Sequence, residues 1–201
     1  MNLKKICVTL KETPEEMLRA QSHFDQIGLS DVSMWYGING QVAGLHTKHP
    51  YALDNHDTTV GFHSCGIYTT WRGIWSAILV GDHTHWLVME QDVVFNPGWR
   101  ERMDQALRDA PKDFDVLLLG SCTTLDKPRK HVAGEVWDLR YPFCGHASVI
   151  SKAGASRMIE LCQKCWAPLD VQLIVEAFPR MKVFTVLPRL CSQFNKPNLP
   201  E

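Results

Sequence analysis

An α/β fold, with a central and mostly parallel sheet flanked by helices, is the fold class that the sequence predicts. Apolar runs of strand length alternate along the chain with segments in which apolar residues recur every three or four positions. Strands and helices in alternating order favour a layered α/β architecture. The 201 residues contain no internal repeat and no linker rich in Pro, Gly or Ser, and they are too few for two ordinary domains. We therefore expect one domain over residues 1–201.

The chain begins with a strand and a helix. The run from Ile6 to Leu10 is apolar and has the length of a buried strand. Thr13 is a good N-cap for the helix that follows, because Pro14 suits the first helical position and Glu16 completes a capping box. Gly28 is expected to end this helix.

A second strand, a loop and a second helix come next. Val32 to Ile38 is predicted to be the strand, and Asn39-Gly40 after it is a strong turn signal. Residues 41–60 are polar and rich in His and Asp, which predicts a long surface loop. From Cys65 to Val80, apolar residues recur at spacings of three and four, which predicts a helix.

The middle of the chain holds the most apolar strand. Trp86 to Met89 is a continuous apolar run, which is typical of a central strand covered on both faces. The run ends at Glu90-Gln91-Asp92. Val93 to Phe95 follow, and the sequence Asn96-Pro97-Gly98 then breaks the chain. Trp99 to Ala110 has the pattern of an amphipathic helix.

The remaining elements continue the alternation of strand and helix. Residues 121–141 are polar, and no regular element is predicted there. The tail from Pro188 contains Pro and Asn and is expected to be irregular. The other predicted elements are, in order, a strand over 114–119, a strand over 146–150, a helix from Ser151 to about 165, a helix from Asp170 to about 178, and a strand over 182–187.

Composition and charge exclude some classes of function. The formal net charge is -1 and the pI is about 6.7, so nothing favours binding to a long run of nucleic-acid phosphates or to a strongly anionic membrane surface. No segment approaches the roughly 18 consecutive apolar residues of a membrane span. The first apolar run is too short for a signal peptide. Seven cysteines without an export signal indicate reduced thiols, and we expect a cytoplasmic protein.

Two groups of metal-binding residue types are each open to two interpretations. Cys162 and Cys165 form one C-x-x-C motif inside a predicted helix. A structural zinc site usually needs four ligands, so the absence of a second such motif favours ordinary buried thiols over a metal site. The histidines of the 41–60 loop could bind a metal or belong to a solvated loop that faces an acceptor; they are His46, His49 and His56.

Glu90 and Asp92 are the residues in which we expect the chemistry to centre. Ligands of α/β sheets bind beyond the carboxyl ends of the strands, and these acids follow a buried strand. Two carboxylates two positions apart in an extended segment point to the same side. Such a pair suits Mg2+ or Mn2+, which bind through one or two carboxylates together with substrate phosphates. The alternative is a solvated strand end whose acids pair with Lys or Arg.

Seven short segments, spread from about residue 4 to 193, carry a resemblance to a known family. The central segment is Met89-Glu90-Gln91-Asp92-Val93, an acidic triplet with Gln in its middle. The other six are Val8-Thr9-Leu10 with Arg19 after it, Gly37 to Gly40, Gly61 to Trp71, Asp115 to Gly120, Gly145 to Ala155 and Pro168 to Asp170. In order and spacing they resemble glycosyltransferase family 25, the lipopolysaccharide-type glycosyltransferases, and related bacteriophage proteins, which have the GT-A fold. The sequence departs from the family pattern at Gln91, where the family has an acid or His, and at His63-Ser64, which are displaced from the family's Ser-His. No C-terminal His is placed to complete a metal site.

The resemblance implies a GT-A-like single domain that moves a hexose from a nucleotide-sugar, with UDP as the expected nucleotide, to an acceptor hydroxyl. It implies that Glu90 and Asp92 hold Mn2+ or Mg2+ and the donor diphosphate. It places Asp170 toward the acceptor, as a general base in an inverting transfer. From the residues alone, Asp170 could instead be a plain N-cap, and Arg19 a solvated helix residue. The other residues implied near the nucleotide are Thr9, Leu10, Asn39 and Gln91.

Aromatic residues and one histidine leave further alternatives. His146 could line the pocket or could be a structural histidine. Trp71 and Trp75, at helical spacing, are expected in the core rather than as a platform for a sugar. Trp137 could stack on a sugar or a base.

The acceptor and the reaction class also remain open. The resemblance implies a glycan acceptor, or a modified base of phage DNA. A metal-dependent nucleotidyl- or phosphotransferase could use the same two carboxylates, although no Gly-rich phosphate loop is evident. A non-catalytic nucleotide- or glycan-binding domain is the third alternative.

Overall fold

The computed structural model of the chain describes residues 3–29, 31–45, 58–124, 130–139, 142–143 and 145–194. In this part of the chain, eight strands form one sheet and four more form two short ribbons. The strands β1 to β12 are, in chain order, Leu3–Thr9, Ser33–Tyr36, His85–Glu90, Val93–Phe95, Val116–Gly120, Thr123–Thr124, Lys130–Ala133, Val136–Asp138, Pro142–Phe143, Ala147–Ser151, Val183–Val186 and Cys191–Gln193.

The large sheet is mostly parallel. Its strand order is β2-β1-β3-β10-β5-β11-β8-β7. Strands β1, β2, β3, β5, β7 and β11 run in one direction, whereas β8 and β10 run in the other. The two ribbons pair β4 with β12 and β6 with β9.

Helices cover both faces of this sheet. Phe24 of the first helix packs with Leu87 on one face, and Trp75 and Met158 pack with Val88 on the other. The helices α1 to α5 are Pro14–Gln26, Thr58–Val80, Trp99–Asp109, Lys152–Leu161 and Leu169–Gln172; α5 continues as a π-helical turn, Leu173–Ala177, and a 3-10 turn, Phe178–Arg180. The predicted α/β class, with a central, mostly parallel sheet flanked by helices, is confirmed.

The central position of β3 explains its continuous apolar run. Leu87 and Met89 face the core formed with α1 and α3, while Trp86 and Val88 face the core formed with α2 and α4. All four side chains are at most 7% exposed. A strand buried on both faces needs apolar residues at every position, because alternation would place polar side chains in a core.

Strand β10 lies between β3 and β5 and is antiparallel to both. It therefore begins at the edge where those two strands end. The residue before it, His146, is thereby placed beside Glu90, the last residue of β3, and the backbone N–H of Glu90 donates to the carbonyl oxygen of His146 at 2.9 Å.

Helix α1 begins where the sequence predicts, but the predicted capping box is wrong. Thr13 is the N-cap, yet its side chain makes no capping hydrogen bond. Its hydroxyl donates instead to the carbonyl oxygen of Leu10 at 3.2 Å. The carboxylate of Glu16 accepts from the side-chain amide of Gln91 on the neighbouring strand end. Glu16 therefore binds Gln91, which is distant in sequence, and does not cap its own helix.

At four other places the structure differs from, or adds to, the predicted elements. Helix α2 begins at Thr58, inside the segment predicted to be a loop. Helix α4 ends at Leu161. Cys162 is its C-cap, and the rest of the C-x-x-C motif lies after the helix. The polar region 121–141 contains β7 and β8. The tail contains β12, Cys191–Gln193, because β4 supplies a partner strand that is distant in sequence.

Candidate active site at the carboxyl ends of the strands

The parallel strands β1, β2 and β3 end at the same edge of the sheet. A cavity of about 620 Å3 lies beyond these ends, and we call it the acid pocket. Its walls come from the ends of β1 and β3, the segment after β2, helices α1 and α2, and the end of β12. This is the position that ligands take in α/β sheets.

All seven residues that the sequence places near a nucleotide line the acid pocket. They come from three parts of the chain that the parallel sheet brings together. They are Thr9, Leu10, Arg19, Asn39, Glu90, Gln91 and Asp92.

The two acids differ in their surroundings. Glu90 is the last residue of β3, its side chain is 34% exposed, and its Oε2 lies 3.4 Å from Nδ1 of the buried His146. Asp92 follows in the turn between β3 and β4. Its Oδ2 accepts a 3.1 Å hydrogen bond from Nε2 of Gln193, and its carbonyl oxygen accepts one of 2.7 Å from the backbone of Phe194.

A chain of polar contacts connects the two acids behind the pocket. Nε2 of His146 lies 3.7 Å from Sγ of Cys122, and that thiol donates to Oε1 of Gln193 at 3.5 Å. Since Gln193 also binds Asp92 and His146 contacts Glu90, one set of side chains orients both carboxylates. His146 is buried and is not among the residues that line the acid pocket, but its ring contacts Glu90.

Gln91, between the two acids, points to the first strand and helix. Its Oε1 accepts from the hydroxyl of Thr9 at 2.6 Å, from the backbone of Leu10 at 3.3 Å and from the hydroxyl of Thr13 at 3.4 Å. Its amide nitrogen donates to Glu16. An amide can donate and accept in this way, whereas the acid of the family pattern could only accept. Gln91 can therefore donate a hydrogen bond to the Glu16 carboxylate, which an acid at this position could not do.

Two glycines allow the segment after β2, which forms one wall of the acid pocket, to pack closely against α2. A Cβ at Gly40 would lie 1.7 Å from the carbonyl oxygen of Phe62, and a Cβ at Gly66 would lie 2.5 Å from that of Ile38. The hydroxyl of Thr70 accepts a 2.8 Å hydrogen bond from the backbone of Ile38. Helix α2 and the loop can therefore approach this closely only because both positions lack a side chain.

Arg19 is an exposed residue of α1, and its guanidinium lies 4.5 Å from the ring centre of Phe194. A cation at this distance from an aromatic face is attracted by the ring. Arg19 is thus directed toward the pocket by a residue of the tail. It brings a positive charge to a pocket that holds Glu16, Glu90 and Asp92.

Two buried thiols lie near the acids. Burial, with a further contribution from Asp92 and Glu90, raises the pKa of Cys7 to about 12. Burial and the Glu90 carboxylate likewise raise the pKa of Cys191 well above its ordinary value. Both groups therefore stay as neutral thiols.

The two carboxylates fit a divalent ion that also binds the ligand. Mg2+ and Mn2+ are commonly held by one or two carboxylates together with phosphate oxygens and water. Within the residues that the structure describes, no group of three or more His, Cys, Asp or Glu is arranged to hold a metal ion. Glu90 and Asp92 can therefore supply part of such a site, and a bound diphosphate would have to supply another part.

A second cavity, of about 360 Å3, adjoins the acid pocket and shares Glu90 and Trp71 with it. Asp170 lines this second cavity. The alternative that Asp170 is an N-cap is wrong, because the N-cap of α5 is Pro168 and Asp170 is the second residue of the helix. Its Oδ1 accepts a 2.9 Å hydrogen bond from the backbone of Val171.

The structure places the other candidate residues away from the acids or outside its description. The ring of Trp137 lies on β8, 4.8 Å from that of His131, and lines neither cavity. Cys165 lies 3.5 Å, sulfur to sulfur, from Cys65. None of the helices in the described ranges is long and apolar enough to cross a membrane. The loop histidines lie outside the described residues; they are His46, His49 and His56.

Three residues of the site could not be found from the sequence. Gln193 ends a strand that is only three residues long and Phe194 follows it, while Cys122 follows β5 in a polar segment. None of them belongs to a motif or to a periodic run. The positions of Gln193 and Phe194 depend on the pairing of β12 with β4, which no local signal reveals.

Comparison with known proteins agrees with the resemblance seen in the sequence. No family model matches the chain. A "Glycosyltransferase 25 family member" of Aedes aegypti is 24% identical over 172 residues, which cover 76% of this chain and 27% of that protein. A protein of the same description from Anopheles gambiae is 23% identical over 164 residues, covering 76% and 28%. The chain spans about a quarter of the length of these curated relatives. The resemblance to glycosyltransferase family 25 is confirmed.

Two solved structures have a related arrangement. One is a glycosyltransferase involved in the glycosylation of the major capsid of PBCV-1, with a TM-score of 0.48 and 10% identity, covering 92% of this chain and 81% of that chain. The other is described as mannose-1-phosphate geranyltransferase from Thermus thermophilus, with a TM-score of 0.46 and 12% identity, covering 94% and 75%.

Proposed function

We propose that this chain is a glycosyltransferase that moves a hexose from a nucleotide-sugar to an acceptor hydroxyl. UDP is the expected nucleotide, Mn2+ or Mg2+ the expected metal, and a glycan or a modified phage DNA base the expected acceptor. Residues 1–201 would act as one GT-A-like domain. The curated relatives, both named as glycosyltransferase 25 family members, support an enzyme that transfers sugar.

The observation that carries the proposal is the convergence of seven residues on one pocket. The residues that the resemblance assigns to the donor lie on β1, on α1, after β2 and after β3, yet all of them line the acid pocket. Its volume, about 620 Å3, lies in the range of about 300–1,000 Å3 that small-molecule sites occupy. An unrelated set of surface residues would not be expected to meet in one cavity.

In this proposal the acids hold the donor through a cation. Glu90 and Asp92 would hold the metal ion, which supplies positive charge to stabilise the departing nucleoside diphosphate. Gln193 and His146 would orient the two carboxylates through the contacts described above. Arg19 would add a positive charge at the rim of the pocket.

Asp170 is the proposed general base. It would take the proton of the acceptor hydroxyl while the acceptor oxygen forms a bond to the anomeric carbon of the sugar. The bond from that carbon to the diphosphate oxygen breaks, and the nucleoside diphosphate leaves with the electron pair. The support for this role is that Asp170 and Glu90 line the same cavity, which places the base next to the donor site.

Donor binding can be tested by thermal unfolding of the purified chain with UDP, GDP, CMP and their sugars. Each ligand would be combined with Mn2+, Mg2+ or EDTA. A ligand that binds the native state raises the melting temperature. We expect one nucleotide class to raise it, and only when the divalent metal is present.

Variants of the two acids make this test specific. Glu90→Gln and Asp92→Asn should each abolish the metal-dependent rise in melting temperature. Asp82→Asn is the matched control, because Asp82 is an exposed acid just before the opposite end of β3. No rise with any nucleotide, or an equal rise in all three variants, would overturn the proposal.

The released product distinguishes the proposed reaction from its rivals. Glycosyl transfer releases a nucleoside diphosphate, whereas nucleotidyl transfer to a sugar phosphate releases pyrophosphate. A non-catalytic binding domain would bind the nucleotide-sugar and release neither. The chain would be incubated with metal and either a nucleotide-sugar plus acceptor or a nucleoside triphosphate plus a sugar phosphate. Chromatography of the nucleotides, together with a pyrophosphate assay, then separates the three functions.

A further inference from the structure

The 360 Å3 cavity next to the acid pocket is built mainly from core side chains, and we call it the apolar cavity. It reaches from the carboxyl edge of the sheet into the space beneath α2, α4 and α5. Most of its lining residues are aliphatic or aromatic, and seven of these are at most 7% exposed. Examples are Trp75, Leu118, Met158, Leu169 and Phe178.

Charged and polar groups are gathered where the apolar cavity meets the acid pocket. Glu90, His63 and Gln193 line both cavities. Asp170 lines the apolar cavity and is half-buried. A molecule in the apolar cavity would thus have one end at the acids and the rest of its surface against the core.

The polarity of the cavity wall indicates which kind of molecule the cavity can hold. A sugar inside the cavity would need partners for several hydroxyls, and a buried hydroxyl without a partner is unfavourable. Ser64 and Ser148 are the wall's hydroxyl side chains among the described lining residues. An apolar group would instead be stabilised by its transfer from water.

Two further observations indicate space for a ligand. The indole Nε1 of the fully buried Trp75 has no hydrogen-bond partner within the described part of the chain. A buried donor of this kind is normally paired, and a ligand atom or aromatic face could satisfy it. In addition, a Cβ built at Gly145, which lines the cavity, would meet no atom of the described residues within 4 Å.

Resting on the proposed function, we propose that the acceptor carries its reacting hydroxyl on an aromatic or branched aliphatic group, and that this group fills the apolar cavity. The hydroxyl would lie at the end shared with the acid pocket, between Asp170 and the donor. An engineered apolar cavity of about 150 Å3 holds one benzene. A cavity of about 360 Å3 therefore has room for a bicyclic ring system.

The probe for this inference is 1-naphthol, a bicyclic aromatic alcohol, titrated calorimetrically into the chain in the presence of nucleotide and metal. Leu173→Trp adds bulk at a half-buried residue of the cavity wall. Val175→Trp is the matched control, since Val175 lies on the same helical turn and is 57% exposed. We expect Leu173→Trp to weaken binding by about tenfold or more, and Val175→Trp to change it by less than about twofold.

A second cavity variant keeps the test decisive if Leu173→Trp does not fold. Gly145→Leu adds a side chain at a residue that lines the cavity, and its Cβ would meet no atom of the described residues within 4 Å. It should also weaken 1-naphthol binding, while circular dichroism and the melting temperature confirm the fold. Failure of the wild-type chain to bind 1-naphthol, or equal binding by the folded cavity variants, would overturn the inference.

The same experiment separates this inference from the proposed function. If no nucleotide-sugar binds with metal, the proposed function fails and this inference fails with it. If the nucleotide-sugar binds and is cleaved but 1-naphthol does not bind, only the inference fails. Transfer to an oligosaccharide at equal rates in wild type and Leu173→Trp would also overturn the inference alone. Transfer to 1-naphthol that Leu173→Trp reduces about tenfold would support both.

Discussion

Nε2 of Gln193 donates a 3.1 Å hydrogen bond to Oδ2 of Asp92, across 101 positions of the sequence. The next residue, Phe194, binds the carbonyl oxygen of Asp92 through its backbone N–H at 2.7 Å. The tail of the described chain therefore holds both the side chain and the main chain of an acid in the turn after β3. The orientation of this carboxylate depends on the pairing of β12 with β4.

Replacement of Gln193 should weaken metal-dependent nucleotide binding more than it weakens the fold. In Gln193→Ala we expect the affinity to fall about tenfold, because a hydrogen bond to a charged group contributes about 1.5–3 kcal/mol. Calorimetric titration of the nucleotide with Mn2+ measures the change. Ser192→Ala, on the same strand, is the control and should keep the wild-type affinity. Equal affinities in all three proteins would show that Gln193 does not orient the carboxylate.

Gln91 and Glu16 should behave as a coupled pair. Gln91→Glu places a carboxylate against the Glu16 carboxylate and also removes the donor between them. We expect it to lower the free energy of unfolding by about 1 kcal/mol, since a half-buried polar group then loses its partner. Adding Glu16→Gln should restore part of this loss, because the donor and the acceptor are then exchanged. Urea unfolding of both single variants and the double variant measures the coupling. Strictly additive effects would contradict the pairing.

Gly66 and Gly61 lie on the same helix and should respond in opposite ways to alanine. A Cβ at Gly66 would collide with backbone of the loop after β2, whereas a Cβ at Gly61 would meet no atom of the described residues within 4 Å. Gly66→Ala should therefore destabilise the chain by about 1–3 kcal/mol, as overpacking does. Gly61→Ala should stabilise it by about 0.5–1 kcal/mol, because Ala favours a helix. Thermal unfolding of the two variants checks both signs, and a stable Gly66→Ala would exclude the close approach.

His23 should make the stability depend on pH. Its neutral Nε2 accepts a 3.1 Å hydrogen bond from the backbone of Phe95, and burial lowers its pKa below 6.5. Because the pKa is lower in the folded chain, the unfolded chain binds the proton first as the pH falls. The contribution of neutral His23 to the free energy of unfolding is therefore complete above about pH 6.5. It is lost as the pH falls from there toward the pKa of His23 in the folded chain.

His23→Gln keeps an acceptor but does not titrate, so the free energy of unfolding should fall less between about pH 7.5 and about pH 5.5. Urea unfolding at both values measures the difference from wild type. A smaller dependence should remain, because burial also lowers the pKa of His85. The same pH dependence in both proteins would contradict the assignment to His23.

The parts of the fold and site that the sequence predicts are those with local signals. The apolar run of β3 followed by Glu90 and Asp92 is visible without a partner, because burial on both faces leaves its mark on every residue. Ser151 caps α4 as predicted, with its hydroxyl accepting from Gly154 at 3.0 Å. The order of strands and helices likewise follows from periodicity alone.

The parts that the sequence does not predict depend on contacts between distant segments. β12 is three residues long and exists because β4 lies beside it, so Gln193 could not be assigned to the site. His146 contacts Glu90 because β10 runs against its neighbours, and strand direction leaves no mark in an apolar run. Glu16 matched a capping motif, but Gln91 competes for its carboxylate across the sheet. In each case a contact with a segment distant in sequence determines the structure, and the local sequence pattern does not reveal that contact.

The central place of β10 also sets the order in which the sheet can assemble. Strands β2, β1 and β3 form one half, and β5, β11, β8 and β7 form the other, with β10 joining them. β3 and β5 are complete by residue 120, but the strand that lies between them ends at residue 151. Until β10 is synthesised, a growing chain therefore carries one unpaired edge on β3 and two on β5, and such edges are prone to mispairing. Closure of the sheet is a late, long-range event, which is typical of slow folding.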